Sequence, residues 1–292
     1  MAFRVAVVSG KGGTGKTTIS VQLAYFLSQK MNYDVQLIDC DVEEPNDALF
    51  FEKKEEIFSK NIEQYVAEIV EDKCKFCRDC VEYCMYNAIV VIPTVRYAKV
   101  EKSLCHSCGA CFVACRHNSI IEVPESIGEV KFYNISSKLS LAEGRLKIGS
   151  TMQTMLIKRL KKEIKRHNSN DKSIFIYDAP PGTSCSVVET VVDADKVIVV
   201  AEPTPFGLHD FKLVTRLLKD MDKKFDVIIN KATNGSAPIV EEIIDEGAEI
   251  IGIIPFEKKV SKNYAVGNLS KMIEQMDLSI FSEWISNNYK TV

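Results

Sequence analysis

Short apolar runs alternate with stretches of helical periodicity along most of this chain. Runs of strand length, rich in Val and Ile, occur at residues 3–9, 35–39, 174–177, 197–201, 227–229 and 249–254. Apolar residues at helical spacing predict helices between them, at residues 17–29, 150–166, 184–193, 207–221 and 237–246. Strands that are apolar throughout and alternate with helices are typical of a mostly parallel sheet with helices on both faces. The sequence therefore predicts an α/β fold.

This alternation stops between residues 62 and 130, where eight of the ten cysteines lie and the apolar runs are short. Within that segment, residues 74–92 and 105–123 repeat each other at an offset of 31 residues. An internal repeat predicts a separate pseudo-twofold unit. We expect a discontinuous host domain, residues 1–62 and 131–292, and an inserted α+β domain, residues 63–130. Residues 130–148 should return to the host as extended chain with a turn at Gly144.

Composition indicates the class of protein and the compartment in which it is expected. The 292 residues are 46% hydrophobic and carry a formal charge of -3, which is ordinary for globular material and offers no broad basic surface. No nucleic-acid partner is therefore expected. The N-terminus lacks the long apolar region of a signal peptide, and no apolar run approaches the roughly 20 residues that span a bilayer. We expect a cytoplasmic protein, in a reducing compartment and without stable membrane insertion.

A glycine-rich loop joins the first predicted strand to the first predicted helix. Its residues are Gly10, Lys11, Gly12, Gly13, Thr14, Gly15, Lys16 and Thr17, with Thr18 next in the chain. Such a loop points backbone N–H groups at phosphate oxygens, and a lysine at the helix start neutralises the terminal phosphates. We expect Lys16 to bridge the β and γ phosphates and Thr17 to bind Mg²⁺. The motif predicts a P-loop NTPase fold that binds ATP or ADP with Mg²⁺.

The second lysine of the loop makes the motif more specific. Residues 11–18, Lys-Gly-Gly-Thr-Gly-Lys-Thr-Thr, resemble the phosphate loop of the deviant-Walker-A ATPases, the superfamily of MinD, ParA and the Mrp-type scaffold ATPases. In that family the additional lysine, here Lys11, reaches the nucleotide of the opposite subunit. The resemblance implies a homodimer with slow, partner-stimulated ATP hydrolysis, in which Lys11 stabilises transition-state charge. The alternative is a solvated loop lysine.

Carboxylates at strand ends complete the expected ATPase site. Asp178 ends an apolar strand, where a carboxylate is well placed to hold Mg²⁺ through water. The resemblance implies that Asp39 and Asp41 form the first switch, with Asp41 orienting the attacking water and Asp39 hydrogen-bonding on the phosphate-loop side. We expect the catalytic residues to be Lys11, Lys16, Asp41 and Asp178.

Adenine recognition is implied by resemblance alone. In the family it tends to use an Asn-Lys pair after one strand and a proline loop after another, which here are Asn230, Lys231 and Pro203. These residue types also end strands for turn reasons.

The cysteines form two successive Cys-x-x-Cys-x-x-Cys-x-x-x-Cys runs. Thiolates bind soft metals, and this spacing lets one loop wrap three corners of a cubane while the fourth cysteine points away. In bacterial ferredoxins, which the runs resemble, the fourth cysteine serves the other cluster. That resemblance implies two [4Fe-4S] clusters, one on Cys74, Cys77, Cys80 and Cys115, the other on Cys105, Cys108, Cys111 and Cys84. Zinc is the rival metal, although zinc modules use paired Cys-x-x-Cys units with longer loops. The proline that usually follows the fourth cysteine is replaced by Met85 and Arg116.

Several residues near these motifs have less defined roles. His106 and His117 flank cluster ligands and are expected at the surface or beside the clusters. Cys40 is expected to be a small buried hydrophobe. Cys185 lies seven positions after Asp178, the offset of a cluster-ligating cysteine in the nitrogenase iron protein, but a buried or helix-capping role is favoured. Residues 269–292 are expected to pack against the host domain.

Taken together, the loop and the cysteine runs resemble MinD-superfamily ATPases that contain an inserted ferredoxin domain. That resemblance implies a nucleotide-switched homodimer that transfers electrons or assembles iron-sulfur or other metal cofactors on a partner protein. An alternative is a MinD-like or ParA-like positioning or regulatory switch, in which the clusters are structural or sense redox state.

Overall fold

The computed structural model describes residues 2–167, 173–265 and 279–289. Contacts within the chain divide it into two units. Unit 1 contains Met1–Ser59, Val130–Arg145 and Ile157–Val292, and unit 2 contains Lys60–Glu129 and Leu146–Leu156. The segment Leu146–Leu156 therefore groups with the cysteine-rich unit, whereas the sequence-based division placed it in the host domain.

Nine strands form one sheet in the order β11-β10-β9-β1-β8-β2-β7-β6-β3, and β4 pairs with β5 in a second, antiparallel sheet. From β11 to β7 every neighbouring pair is parallel. The strands are β1 (Phe3–Val8), β2 (Val35–Asp39), β3 (Glu55–Ile69), β4 (Ile89–Ile92), β5 (Tyr97–Val100), β6 (Ile120–Ser136), β7 (Leu139–Leu146), β8 (Ile174–Asp178), β9 (Lys196–Ala201), β10 (Phe225–Ala232) and β11 (Glu249–Pro255). The predicted mostly parallel α/β sheet is confirmed.

Nine α-helices lie within the described residues. They are α1 (Lys16–Tyr25), α2 (Asp79–Glu82), α3 (Ala110–Ala114), α4 (Gln153–His167), α5 (Cys185–Val191), α6 (Pro205–Asp220), α7 (Ala237–Asp245), α8 (Lys258–Ala265) and α9 (Ile280–Asn288). A π-helical turn, Phe26–Lys30, extends α1. None of these helices combines the length and the apolar character needed to cross a bilayer.

The central strands of unit 1 could be predicted from the sequence because they are buried and therefore apolar. Every residue of β2 and of β8 is buried, as expected for central strands of a parallel sheet whose two faces are covered by helices. Helix α6 begins where its sequence predicts a start: the Thr204 hydroxyl accepts a hydrogen bond from the Gly207 N–H at 3.0 Å, and Pro205 is the first helical residue.

The edge of the sheet differs from the expectation for residues 130–148. The chain turns at Ser137–Lys138 and forms a hairpin of β6 and β7, so Gly144 lies inside β7 and not at a turn. Strand β3 was not predicted at all. Buried Ile62, Gln64 and Val66 alternate in it with exposed residues, and such a half-buried strand carries no continuous apolar run.

Helix α9 covers part of the core of unit 1. Phe281, Trp284 and Ile285 are buried there, and the Phe281 ring lies 6.2 Å from the ring of Phe26. The Trp284 indole N–H donates to Asp226 Oδ2 at 2.7 Å. This confirms the expected packing for the residues that the structure describes, while residues 269–278 and 290–292 of the same prediction lie outside them.

Unit 2 repeats its own backbone at the offset of 31 residues. Phe76 and Ser107 both have φ of 54°, Arg78 and Gly109 both 72°, and Asn87 and Asn118 have 52° and 50°. The closing hydrogen bonds also correspond, from Val70 N to Ser119 O at 2.8 Å and from Glu101 N to Ala88 O at 2.7 Å. Left-handed residues other than glycine are uncommon, so their recurrence at matched positions shows that both halves adopt one local fold.

Replacing Phe281 with alanine should destabilise unit 1 by about 3–5 kcal/mol, because a fully buried ring leaves a cavity between α9 and α1. Urea unfolding followed by the fluorescence of Trp284, the single tryptophan, measures the change. Phe206, which is 80% exposed, supplies the matched control, and Phe206→Ala should change stability by less than about 0.5 kcal/mol. Equal effects of both variants would contradict the packing of α9.

Candidate nucleotide and cysteine sites

Strand register brings two aspartates together beside the glycine-rich loop. Asp178 ends β8 and lies opposite Asp39, the last residue of β2, and opposite Val7 of β1. The loop begins directly after β1, so the ends of three adjacent parallel strands meet at one edge of the sheet. Ligands of open α/β sheets bind at this edge.

Asp178 is the centre of a hydrogen-bond network with the start of α1. Its Oδ1 accepts from Lys16 Nζ at 3.0 Å and from Ser20 Oγ at 2.7 Å, and its Oδ2 accepts from Thr17 Oγ1 at 2.8 Å. Lys16 and Asp178 are both buried. Ser20 was missed in the sequence, although its position four residues after Lys16, on the same face of the helix, could have indicated it.

Asp39 organises the loop that follows β2. Its Oδ1 accepts from Asp41 N at 3.0 Å, and its Oδ2 accepts from Asn46 N at 2.8 Å and from Asp47 N at 3.0 Å. Asp39 therefore holds the loop in shape, and half-buried Asp41 lies within that loop. Glu43 and Glu44 are exposed on it.

Asp47 is a further acidic residue that sequence reasoning did not identify. It is fully buried, and neither carboxylate oxygen has a hydrogen-bond partner among the described residues. Carboxylate oxygens of Asp39, Asp47 and Asp178 all lie within 4.8 Å of one another. Three buried carboxylates at this separation repel one another, so a proton or a cation stabilises the group.

The protonation of this group follows from burial and charge. Burial, reinforced by the charge of Asp178, raises the pKa of Asp39 to about 8. Burial also raises the pKa of Asp47 well above its ordinary value, and it raises the pKa of Asp41 to about 6. For Lys16, burial lowers the pKa, but the charge and hydrogen bond of Asp178 outweigh burial and the net pKa is raised. Of Asp39 and Asp47, Asp47 holds a proton more readily. Among the described residues, backbone N–H groups donate hydrogen bonds to the Asp39 carboxylate, and none donates to that of Asp47.

Close packing shapes the phosphate loop itself. Gly15 has φ of +91°, and a Cβ atom there would lie 2.2 Å from Asn230 Nδ2. A Cβ atom on Gly10 would lie 2.1 Å from the carbonyl oxygen of Asp210 in α6. Both positions therefore require glycine. Gly12 and Gly13 are exposed, Thr18 is half-buried, and Thr14 is buried with no partner for its hydroxyl among the described residues.

Asn230 and Lys231, which the resemblance linked to adenine, contact the phosphate loop. Asn230 Nδ2 donates to Thr14 O at 2.7 Å, and Lys231 Nζ donates to Gly13 O. Pro203 is buried just before α6. In this structure the two side-chain donors therefore support the loop that holds phosphate.

Lys11 extends from the loop at partial exposure. Its Nζ lies 3.5 Å from Glu202 Oε2, and the two side chains are 31% and 22% exposed. An exposed pair of this kind contributes little stability, so Lys11 can change partner at small cost.

The cysteines of unit 2 form two groups. A cavity is lined by Cys84, Cys105, Cys108 and Cys111, which we call the second cysteine site. Ser107, Glu122 and the stacked rings of Tyr86 and His106, 3.8 Å apart, also line it. Cys74, Cys77, Cys80 and Cys115 are called the first cysteine site. Burial raises the pKa of Cys80 to about 11, with the thiols of Cys111, Cys115, Cys74 and Cys77 acting in the same direction.

Backbone and side-chain donors reach the fourth cysteine of each run. Ala88 N donates to Cys84 Sγ at 3.3 Å, and Ser119 N donates to Cys115 Sγ at the same distance. The Ser119 hydroxyl lies 3.0 Å from Cys115 Sγ. Burial raises the pKa of Cys115, but the hydrogen bonds from Ser119 outweigh burial and the net pKa is lowered. The thiolate of Cys115 is therefore favoured.

The structure also gives the burial of the two cysteines outside the repeated runs and of the two histidines beside them. Cys40 is fully buried, as predicted, and burial raises the pKa of its thiol. Cys185 is exposed as the first residue of α5, so of the two roles favoured for it, buried or helix-capping, the buried one is wrong. The side chains of His106 and His117 are exposed, as expected.

A family profile and two related protein sequences match most of this chain. The profile of the CobQ/CobB/MinD/ParA nucleotide binding domain matches residues 5–270. The uncharacterized protein MJ0578 of Methanocaldococcus jannaschii is 31% identical over 260 residues, which cover 89% of this chain and 87% of that protein. An iron-sulfur cluster carrier protein of Pyrococcus abyssi is 22% identical, and the matched region covers 91% of this chain and 78% of that protein.

Solved structures show the same fold. The MinD cell division protein of Aquifex aeolicus superposes with a TM-score of 0.54 at 20% identity, covering 100% of this chain and 99% of that one. The septum site-determining protein MinD of Pyrococcus horikoshii OT3, complexed with Mg-ADP, superposes with a TM-score of 0.52 at 17% identity. The match covers 95% of this chain and 97% of that one.

Without Mg²⁺ and nucleotide, the free energy of unfolding of unit 1 should fall as pH rises from about 5 to about 8. Acids whose pKa is raised in the folded state bind more protons folded than unfolded, so their contribution is lost as pH rises through the folded pKa. We expect a loss of at least about 1.4 kcal/mol, the equivalent of one pKa unit. Urea unfolding at several pH values, followed by Trp284 fluorescence, measures it.

Asp47→Asn should flatten this pH dependence, and Mg²⁺ with ATP should flatten it in the unsubstituted protein. Glu44→Gln removes an exposed acid from the same loop and should leave the slope unchanged. A stability that rises with pH would show that the three carboxylates are stabilised in their charged forms.

Proposed function

Because the chain belongs to the CobQ/CobB/MinD/ParA family of nucleotide-binding domains, we propose that it is a Mg²⁺-dependent ATPase whose nucleotide cycle governs two [4Fe-4S] clusters. One observation carries the proposal. A single chain combines a phosphate loop, whose lysine and threonine meet a strand-end aspartate, with two groups of four free cysteines. We place its activity in electron transfer, or in assembly of iron-sulfur or other metal cofactors on a partner protein.

The nucleotide site has polar groups that lack protein partners. The Thr14 hydroxyl and both Asp47 oxygens are buried without hydrogen-bond partners among the described residues. Buried polar atoms without partners are costly, which supports a ligand that supplies those partners. Thr17 and Asp178 would hold Mg²⁺, which neutralises phosphate charge when bound and would offset the repulsion among the buried carboxylates.

The residues around this site have distinct tasks in hydrolysis. Lys16 now pairs with Asp178, and ATP phosphates would replace that carboxylate as the partner of the lysine. Asp41 is half-buried and has a pKa raised to about 6, so it can orient a water molecule and accept its proton near neutral pH. Asp39 keeps the Asp41 loop in position through its backbone hydrogen bonds.

A second copy of the chain would complete the site. Lys11 is partly exposed, and among the described residues its side chain pairs with Glu202, so it is available to the phosphates of an opposing subunit. A cation supplied in trans stabilises charge that develops on the transferred phosphoryl group. The proposed active form is therefore a homodimer that contains two nucleotides.

The cysteine sites fit iron-sulfur clusters by their donor set. All ten cysteines are free thiols, and eight of them lie in the two repeated runs. The cavity of the second cysteine site also contains the Ser107 hydroxyl, which is buried without a partner among the described residues. Four thiolates for each cluster satisfy a cubane, and a hydroxyl beside them can donate to its sulfur atoms. The relatives called iron-sulfur cluster carrier proteins support this link.

Lys11→Ala should slow ATP hydrolysis by about 10³-fold or more if the lysine acts in trans, since removal of a finger cation has effects of this size. Steady-state phosphate release and dimerisation with a non-hydrolysable ATP analogue are the two measurements. Lys53→Ala removes another exposed lysine of unit 1 and should change neither. Unchanged hydrolysis and association in the Lys11 variant would exclude the in-trans role.

Nucleotide should change the behaviour of the clusters. In anaerobically purified full-length protein, the reduction potentials, or the rate of cluster transfer to an acceptor protein, should differ between ADP and a non-hydrolysable ATP analogue. The Lys16→Ala variant, which lacks the phosphate-binding lysine, should lose that difference and keep its iron and sulfide. Absence of inorganic sulfide would refute the cluster proposal. ATP-dependent vesicle or DNA binding with unaltered clusters would support a positioning or regulatory switch.

A further inference from the structure

We propose that the two cysteine sites are electrostatically unequal, so that a [4Fe-4S] cluster at the first cysteine site is reduced at a higher potential than one at the second. This inference rests on the proposed function, because it requires that both sites hold clusters. It adds a direction to that function. Electrons that enter unit 2 should collect at the first cysteine site, which would be the site that supplies a partner.

The internal repeat allows the two sites to be compared residue by residue. Each position of the first half corresponds to a position 31 residues later, and matched residues share their left-handed backbone angles. Even the backbone hydrogen bonds to the fourth cysteines agree, because Ala88 N and Ser119 N each lie 3.3 Å from their sulfur acceptors. A difference in potential must then come from side chains that break the repeat.

One break in the repeat is a hydroxyl group. Ser119 corresponds to Ala88, and both residues are buried. The Ser119 hydroxyl lies 3.0 Å from Cys115 Sγ, while Ala88 offers Cys84 no such group. A metal-bound thiolate has no proton to donate, so the hydroxyl must donate. Hydrogen bonds to cluster sulfurs favour the more negative, reduced state and raise the potential.

Charged residues break the repeat in both directions. Glu71 corresponds to Lys102, Asp72 to Ser103 and Glu82 to Val113, and these differences place more negative charge in the first half. Arg78 corresponds to Gly109, Lys75 corresponds to His106, and both cations accompany the first cysteine site. Glu122 instead lines the cavity of the second site, where its Oε1 lies 3.8 Å from a Cβ built on Gly109. All of these charged side chains lie at or near the surface, where solvent and salt screen them, so the buried hydroxyl of Ser119 sets the order of the two potentials.

Two other neighbours of the sites leave this order unchanged. Arg116, beside Cys115, pairs with Asp79 at 3.3 Å, so the charges of the two largely cancel. The Ser107 hydroxyl can donate within the second site and thereby raise its potential. It lies within hydrogen-bond distance of no cysteine sulfur among the described residues, whereas the Ser119 hydroxyl lies 3.0 Å from Cys115 Sγ, so the first site keeps the higher potential.

The step itself is the movement of one electron from the second cysteine site to the first. No bond forms or breaks, and no proton is required. A one-electron reductant of low potential, for which dithionite serves in the laboratory, supplies the electron.

The test is an anaerobic dithionite titration of the full-length protein, followed by electron paramagnetic resonance. We expect two reduction waves. Ser119→Ala should lower the upper wave by about 59 mV, which corresponds to a tenfold change in a one-electron equilibrium, and should leave the lower wave in place. The matched variant Ala88→Ser adds the hydroxyl at the other site and should raise only the lower wave by a similar amount.

Exposed charges provide variants that do not disturb the core. Glu122→Gln should raise the lower wave, and Arg78→Gln should lower the upper wave, each by a smaller shift than the Ser119 variant because solvent screens these exposed charges. These variants keep the test decisive if the buried substitutions reduce cluster content. Iron and sulfide are measured for every variant, so that a lost cluster is distinguished from a shifted one.

The outcomes separate this inference from the proposed function. Two intact clusters with a single shared potential would overturn the inference, as would a Ser119→Ala shift in the lower wave. Neither result would affect the proposed ATPase or its clusters. Preparations without sulfide would overturn the proposed function instead, and the inference with it.

Discussion

The buried carboxylate of Asp178 is the interaction on which the nucleotide site depends. It accepts hydrogen bonds from Lys16, Thr17 and Ser20, so one side chain of β8 orders the start of α1. Burial strengthens these charge-assisted bonds, because little water competes for either partner. The parallel register of β8 with β1 and β2 then fixes where the phosphate loop and the Asp39 loop meet.

This arrangement also concentrates negative charge. Asp39 and Asp47 lie beside Asp178, and in the part of the chain that the structure describes one buried cation, Lys16, pairs with this group. A protein without a cation or proton here would suffer strong repulsion, which makes the site ready to accept a positively charged ligand. The same feature that destabilises the group therefore suits it to a cation such as Mg²⁺, a relation common at functional sites.

Unit 2 consists of two halves that share one backbone fold and differ in individual side chains. The two halves share backbone angles and closing hydrogen bonds, so the fold supplies two nearly equivalent sets of thiols. Function would be added by side chains that differ between halves, such as Ser119 against Ala88 and Glu122 against Val91. A repeated scaffold allows these differences to act without changes in the surrounding backbone.

Much of this protein could be predicted from its sequence. The central strands of unit 1 are continuous apolar runs, and the phosphate loop and cysteine runs are local motifs whose chemistry depends on spacing within a few residues. Long-range features could not be predicted in this way. Strand β3 alternates between buried and exposed residues, but buried Gln64 and exposed Tyr65 break the matching alternation of apolar and polar residues, so no strand pattern is present in the sequence. The hairpin after β6 turns at Ser137–Lys138, where no glycine or proline marks it.

The roles of Ser20 and Asp47, and the contact of Asn230 with the phosphate loop, were decided only by the tertiary structure. Each depends on residues distant in the chain: Ser20 meets Asp178, Asp47 lies beside Asp178, and Asn230 meets Thr14. The sequence by itself determined which local chemistry is available, because motif geometry is set by neighbouring residues. Strand order and register determined which of those groups meet, because they bring together segments more than a hundred residues apart.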